Sequence, residues 1–344
     1  MKRLLTLLFL VATTGVIVNA QDGPAKIEVQ KIWNEAPHSA FTSLVRFKNR
    51  FYCTFREAPA HVSGPKGTAR IIMSADDGKT WKSVAFYKME GLDIRDPKLS
   101  ITPDNRLMVL IDVETYKDDK VDTRKPWVIY SDKNGENFSE PVESIVDPAI
   151  AGKSDWVWRV SWYKNMGYAI DYKNGTVFLV KTTDGKAFEN VAKLDVDGAP
   201  NESTVRFDKN GKIYVMIRRE QGDQRGVIAT AEAPYTSWQY SKMDVRIGGP
   251  DFLFLDDNTL CIGSRLYPQD PELQKKAINH KSAIFITDLQ GKTKKAITIP
   301  QSGGDCSYPG MLIYKNTLWY SYYSSHEDKT SIYLAKVPLS LLTK

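Results

Sequence analysis

Cysteine is scarce in this chain of 344 residues: Cys53, Cys261 and Cys306 are odd in number and widely spaced. A small secreted scaffold held by disulfides would show dense, even cysteines, so stability here has to come from packing. Metal-ligand spacing is lacking as well. His38, His61, His280 and His326 are scattered, and no EF-hand-like acidic loop occurs, so no metal site is expected. A phosphate-binding glycine loop, a nucleophile elbow and a dinucleotide fingerprint are all absent, which leaves no cofactor expected. Nor does charge of one sign dominate. Forty-seven Lys and Arg face 41 Asp and Glu, and the +6 that results is too small and scattered to predict a nucleic-acid partner. Helical periodicity is nearly missing, with 273–278 the one plausible helical turn, so an α/β reading fails. What remains, 42% hydrophobic and 11% aromatic residues, excludes disorder and supplies a core.

The one apolar run, Leu4 to Val18, follows Lys2-Arg3 and ends in Val18-Asn19-Ala20, small or compact residues suited to cleavage before Gln21. Its 15 residues, interrupted by Thr13, Thr14 and Gly15, fall short of the roughly 20 that span a bilayer. Residues 1–20 are therefore read as a signal peptide rather than an anchor. The mature chain, 21–344, is expected to be a single domain, secreted or periplasmic, with no membrane span. Nothing in it sets an oligomeric state.

Within that chain one unit recurs: an alternating strand, a tight polar turn, a second alternating strand, a variable loop, then a third and often a fourth strand. Turn signals lie at Lys48-Asn49, Asp104-Asn105, Asn165-Met166, Asn210-Gly211, Asp257-Asn258 and Lys315-Asn316. Their spacing approaches the roughly 40 to 50 residues of a four-stranded propeller blade plus loops. The reading is all-β, with six blades. A two-sheet sandwich is the alternative, but about 24 strands are too many for it, and radial repetition hides sheet edges. The strand near Ile27–Ile32 is expected to complete the last blade beside 331–337.

The turn joining third and fourth strands is more specific. Ser74-Ala-Asp-Asp-Gly-Lys-Thr-Trp81 has the pattern Ser-x-Asp-x-Gly-x-Thr-Trp, with degraded copies at Ser131–Phe138 and Thr182–Phe188. Asp can bond the turn's backbone, Gly supplies a positive φ and the aromatic packs the turn on its blade. These segments resemble the Asp-boxes, or bacterial neuraminidase repeats, and the whole mature chain resembles the sialidase superfamily of six-bladed β-propellers.

Strand direction then sorts the polar residues. First-strand starts, second-strand ends and the loops after them share one face, opposite the Asp-box turns. First-strand starts hold Arg95, Asp96, Trp158, Arg159, Glu202, Asp251, Asp305 and Tyr308. Second-strand ends hold Arg56, Glu57, Arg218, Arg265 and His326, and the loop after Glu57 holds His61. A glycan suits such a rim, because sugar rings stack on aromatics and hydroxyls need donors and acceptors. Solvated loop charges account equally well for Arg56-Glu57, and inter-blade packing for Trp158.

The sialidase resemblance implies a Tyr nucleophile activated by a Glu, an Asp acid/base in a first-blade loop, and three Arg around a substrate carboxylate. The segment from Glu202 to Arg218 is similar to the family's Glu-bearing strand, turn and Arg-bearing strand, and Tyr308 falls where the nucleophile is expected. The family's Tyr-Arg-Ile-Pro corresponds to about 39–42, without arginine. The last-blade Arg is replaced near Gly303-Gly304-Asp305, and no Asp lies between Glu57 and Arg70. The leading expectation is a glycoside hydrolase removing a terminal sugar, acidic sugars included. Glu202 and Tyr308 are its catalytic pair and His61 or Glu57 the proton donor. Arg56, Arg95, Asp96, Trp158, Arg159, Arg218, Asp251, Arg265, Asp305 and His326 are the expected substrate contacts. A uronic-acid lyase and a non-catalytic glycan-binding propeller stay open.

Overall fold

A computed structural model describes residues 25–276 and 278–343, and the expected signal peptide lies outside them. Six sheets, each of four antiparallel strands with a short parallel fifth, Ile145–Val146, on the third, stand around a central channel as the blades of a propeller. Blade 1 runs outward through His38–Phe47, Arg50–Ala58, Thr68–Ser74 and Lys82–Tyr87. Blades 2 to 5 begin with inner strands Asp93–Ile101, Trp156–Tyr163, Pro200–Phe207 and Asp251–Asp256. Blade 6 takes Cys306–Tyr314, Thr317–Ser324 and Ser331–Pro338 from the end of the chain. Its outer strand is Glu28–Trp33, paired Glu28 to Lys336 and Val29 to Ala335 as expected. That pairing ties the two ends of the described chain together and covers an edge that would otherwise be open.

Alternation makes each blade sticky on both faces. Ile71, Ile94, Val109 and Ile111 are fully or almost fully buried between blades 1 and 2, and Cys261, Ile284, Leu318 and Tyr333 between blades 5 and 6. The first turns close as the Asn-containing dipeptides require: Lys48 and Asn49 have φ of 48° and 62°, and Lys315 and Asn316 have 49° and 56°.

In the turn after the third strand of blade 1, Asp76 accepts hydrogen bonds from the Thr80 hydroxyl at 2.6 Å, the Thr80 amide at 2.9 Å and the Ser74 hydroxyl at 2.8 Å. These bonds hold its carboxyl far below the usual range. The Trp81 indole closes the turn on the Gly78 carbonyl at 3.2 Å. Among the described residues, no helix is long and apolar enough to cross a membrane. The only α-helix among them, Pro271–Lys275, is one short turn.

Register fixes which residues share a face. His38 pairs with Ala58, Pro200 with Arg219, Asp251 with Gly263 and Cys306 with Ser324. First-strand starts and second-strand ends therefore meet at one mouth of the channel, with the tight turns at the other.

Candidate active site

Five inner strands break register just inside that mouth, at Ala40/Ser43, Arg95/Lys98, Trp158/Ser161, Pro200/Ser203 and Ser307/Gly310. Each irregularity re-aims a side chain that regular pleating would have sent between blades. In four of them a bulky or polar residue takes a left-handed φ: Phe41 at 66°, Asp96 at 43°, Arg159 at 39° and Tyr308 at 50°. Such backbone costs on the order of 1–3 kcal/mol per residue and concentrates where function requires it.

Blades 4 and 6 converge through these irregularities. The Tyr308 hydroxyl donates to Glu202 Oε1 at 2.7 Å, and Arg218 Nη1 donates to the same hydroxyl at 2.9 Å and to Glu202 Oε2. Glu202 and Arg218 lie on adjacent strands of one hairpin, which is why a spacing of 16 residues brings them together. Burial raises the Tyr308 phenol well above its ordinary pKa, against the pull of Arg218. The resting state is therefore a neutral phenol bonded to a carboxylate. A group of this kind attacks only when its base takes the proton in the same step. The Tyr308 ring is wedged by Phe41 at 5.0 Å, Tyr323 at 5.9 Å and Trp158 at 6.1 Å, with the Arg265 guanidinium 5.6 Å above it.

Arg265 donates to the Cys306 carbonyl at 3.0 Å, to the Tyr323 hydroxyl at 3.1 Å and to Asp305 at 3.3 Å. With Arg218 it borders a cavity of about 350 Å³ that Gln224, Arg246, Tyr267, Gln274 and His280 complete. Sequence reasoning passed over Arg246 and Tyr267. Arg246 ends an outer strand, yet it stacks on Tyr267 at 4.0 Å and reaches Glu220 at 3.0 Å, and Glu220 in turn binds Arg218. No sequence signal marks either of them, since Arg246 ends an outer strand and Tyr267 follows a second strand of the next blade.

Beyond Arg265, His61 Nδ1 lies 2.6 Å from Asp305 Oδ2, and His38 Nε2 lies 3.1 Å from the same oxygen. Phe41 separates this group from Tyr308, touching His61 edge-on at 5.1 Å. His38, never singled out for the site, starts the inner strand of blade 1. The three ligand atoms fall within 4.8 Å of one another, although the sequence spacing pointed to no such cluster.

The loop bearing His61 rests on a buried ion pair. Arg56 and Asp93, both fully inaccessible, meet at 2.7 Å, and Arg56 also donates to the carbonyls of Ala60 at 3.2 Å and His61 at 3.4 Å. Arg95 adds a bond to Asp93 at 3.4 Å and one to the His61 carbonyl at 3.5 Å. Arg56 thus supports the site from behind. Arg56→Met leaves the Asp93 carboxylate buried beside one remaining cation, so we expect about 3–5 kcal/mol of lost stability in urea denaturation. A loss below about 1 kcal/mol would mean that Arg95 alone balances Asp93.

Other expected contacts fall elsewhere. Glu57 faces away from the channel and accepts from the Trp33 indole at 2.6 Å and from Arg70 at 2.9 Å, because alternation sends it opposite to Arg56. His326 packs on Tyr333 at 5.0 Å and pairs with Ser324 at 2.8 Å, in the outer part of blade 6. Arg159 turns down the channel to Asp251 at 3.2 Å and to the Pro309 carbonyl, and Asp251 also holds Arg206 at 2.7 Å. Arg159 and Asp251 thereby line a cavity of about 670 Å³ at the opposite mouth, among Trp162, Tyr163, Phe207 and Tyr314. Trp158 is fully buried behind Tyr308 and offers no face to a sugar. Asp96 is buried 3.7 Å from Lys98, and burial raises its carboxyl above the usual range against the pull of Lys98 and Arg95. The Lys98 ammonium is pushed down to about 7 by the same burial.

No protein-family profile matches the chain, and no curated protein matches it in sequence. Solved structures do match in fold. A Dyadobacter fermentans protein of unknown function superimposes with a TM-score of 0.73 at 19% identity, covering 90% of this chain and 99% of that one. Trypanosoma rangeli sialidase, bound to the inhibitor DANA, gives 0.68 at 12% identity over 91% of this chain and 60% of its own. The NanB sialidase of Streptococcus pneumoniae gives 0.67 at 11% identity over 89% and 69%. The chain is thus similar to sialidases in its propeller and spans about 60–69% of their length.

Proposed function

We propose that this protein is a secreted, exo-acting glycoside hydrolase that removes a terminal sugar, acidic sugars being favoured. The observation that carries the reading is the contact of Tyr308 with Glu202 at 2.7 Å and with Arg218 at 2.9 Å, built by two blades at one channel mouth. In the reaction the Tyr308 oxygen attacks the anomeric carbon while Glu202 takes its proton. His61 protonates the departing oxygen. Water, giving its proton to His61, then breaks the glycosyl–tyrosine bond, and Tyr308 recovers its proton from Glu202. Two displacements at one carbon retain its configuration.

Arg218 at the attacking oxygen and Arg265 over the Tyr308 ring favour an anionic substituent near the anomeric centre. The adjoining cavity of about 350 Å³ is at the small end of ligand sites, which suits a chain terminus better than a polymer strand. The fold likeness to sialidases and the Asp76 turn support the same reading.

The test is incubation with a panel of neutral, uronic and ulosonic acid glycosides, with products followed by NMR. Release of a free terminal sugar of retained configuration is expected. A product absorbing in the near ultraviolet would signal β-elimination and replace hydrolysis by a lyase reaction. Tight binding of an intact glycan without turnover over days would leave a lectin-like propeller.

A further inference from the structure

Two imidazoles sharing one carboxylate oxygen is the feature that this reading leaves unused. Asp305 sits just before the inner strand of blade 6, and three elements fix it. Its amide donates to the Ser325 hydroxyl at 2.8 Å, and its Oδ1 accepts from the Tyr323 hydroxyl at 2.7 Å and from Arg265 at 3.3 Å. Oδ2 is left to His61 Nδ1 at 2.6 Å and His38 Nε2 at 3.1 Å. The His38 side chain is 8% exposed and that of His61 43%, so one imidazole is built into the wall while the other faces solvent and substrate. Burial alone would raise the Asp305 carboxyl, but the two imidazoles and Arg265 overrule it and hold it far below the usual range. Asp305 therefore stays ionised and acts as an acceptor, never as the acid.

We propose that Asp305 is a positioning residue that fixes His61 with its proton on Nδ1, making His61 Nε2 the atom that exchanges protons with the substrate, and that His38 braces the carboxylate from the buried side. This rests on the glycosidase reading. His61 enters this step as the imidazolium, with a proton on each nitrogen; when the bond from the anomeric carbon to the leaving oxygen breaks, the Nε2 proton passes to that oxygen and the neutral ring keeps its proton on Nδ1. When water attacks, its proton returns to Nε2. Throughout, Nδ1–H stays on Asp305, the arrangement by which a buried carboxylate orients a catalytic imidazole elsewhere. The charged and titratable groups facing His61 are Asp305 and His38 at its ring, with Arg56 and Arg95 at its main-chain carbonyl.

A divalent cation is the competing use of the same three side chains. Ligands of one tetrahedral zinc keep about 3.3 Å from each other, whereas His61 and Asp305 stand closer, at a hydrogen-bond length. Arg265 beside Asp305 also places fixed positive charge where a cation would sit.

Leaving-group dependence tests the proposal. Asp305→Asn should lower kcat on an alkyl glycoside by about 10²-fold or more with KM nearly unchanged. On the matching glycoside of an acidic phenol, which departs without protonation, the loss should stay under about tenfold. Equal losses on both substrates would overturn the proposal and reduce Asp305 to a structural part. Long-range ¹H–¹⁵N NMR of the wild-type imidazoles decides the matter without any substrate or variant. With His61 titrated to its neutral form, the remaining proton is expected on Nδ1, and a neutral ring protonated on Nε2 would overturn the proposal even if no glycoside is cleaved. Micromolar zinc binding by calorimetry that His38→Ala abolishes would overturn it in favour of a metal centre. Absence of glycoside turnover with the Nδ1 tautomer intact would instead count against the glycosidase reading alone.

Discussion

Glu202→Gln is expected to lower kcat/KM by about 10³-fold or more, equivalent to about 4 kcal/mol of transition-state stabilisation, with the fold intact. Gln keeps the shape, and its amide oxygen can accept from Arg218 where Glu202 Oε2 did, which leaves its NH2 facing the Tyr308 oxygen as a donor. It cannot take a proton. Burial has raised the phenol well above its ordinary pKa, so an unassisted Tyr308 at neutral pH would have to form phenolate against a large penalty. Arg218 offsets part of that penalty as the proton leaves, because the negative charge developing on the Tyr308 oxygen lies 2.9 Å from the guanidinium. Tyr308→Phe should show a comparable loss, and the double variant little more than either single one, since the two residues act as a unit. Steady-state kinetics on the best glycoside of the panel, with circular dichroism melts as the fold control, provide the measurement. Full activity in Glu202→Gln with an unchanged melt would remove the Tyr308–Glu202 pair from the chemistry.

The parts of this arrangement that local rules govern were legible beforehand. Alternation and tight turns pointed to six blades, to a closing strand at Ile27–Ile32 that is found at Glu28–Trp33, and to the shared face, because period-two patterning and antiparallel direction are local properties. Glu202 with Arg218 could be paired because a hairpin converts sequence spacing into contact. Polarity could not tell which channel mouth a side chain serves. Arg159 and Asp251 stand at first-strand starts like Asp305, yet the left-handed turn at Arg159 commits both to the opposite cavity. Glu57 illustrates the alternation rule itself: a one-residue step from Arg56 sends it to Trp33 and Arg70. His38 and Asp305 are 267 positions apart, and only closure of blade 6 on blade 1 joins them, which no spacing rule detects. Arg246 and Tyr267 were hidden for the same reason, coming from the last strand of blade 4 and the loop that follows the second strand of blade 5.

Gly249→Ala is expected to remove nearly all turnover, about 10²-fold or more, although this residue touches no substrate. Gly249 has a φ of 57°, and a Cβ built on it would lie 2.4 Å from Tyr308 Cγ and 2.5 and 2.6 Å from the two neighbouring ring carbons. No real Cβ sits that close to a ring, so either blade 5 backs away or Tyr308 moves. Phe41, Tyr323 and Trp158 pack the ring on other sides, and Tyr308 is itself held at a φ of 50°. Movement of the phenol by a few tenths of an ångström stretches its bonds to Glu202 and Arg218, on which attack geometry depends. Stability should fall by about 2–5 kcal/mol, the sum of overpacking and left-handed strain. Gly91 supplies the control, having a φ of 73° with nothing within 4 Å of its would-be Cβ. Gly91→Ala carries the backbone strain alone, about 1–2 kcal/mol, and should leave kcat within about twofold. Denaturation and kinetics on the two variants therefore separate strain from collision. If Gly249→Ala matches Gly91→Ala in both, the Tyr308 ring is free to shift without consequence, and a tyrosine that loosely held is not the group that attacks the sugar.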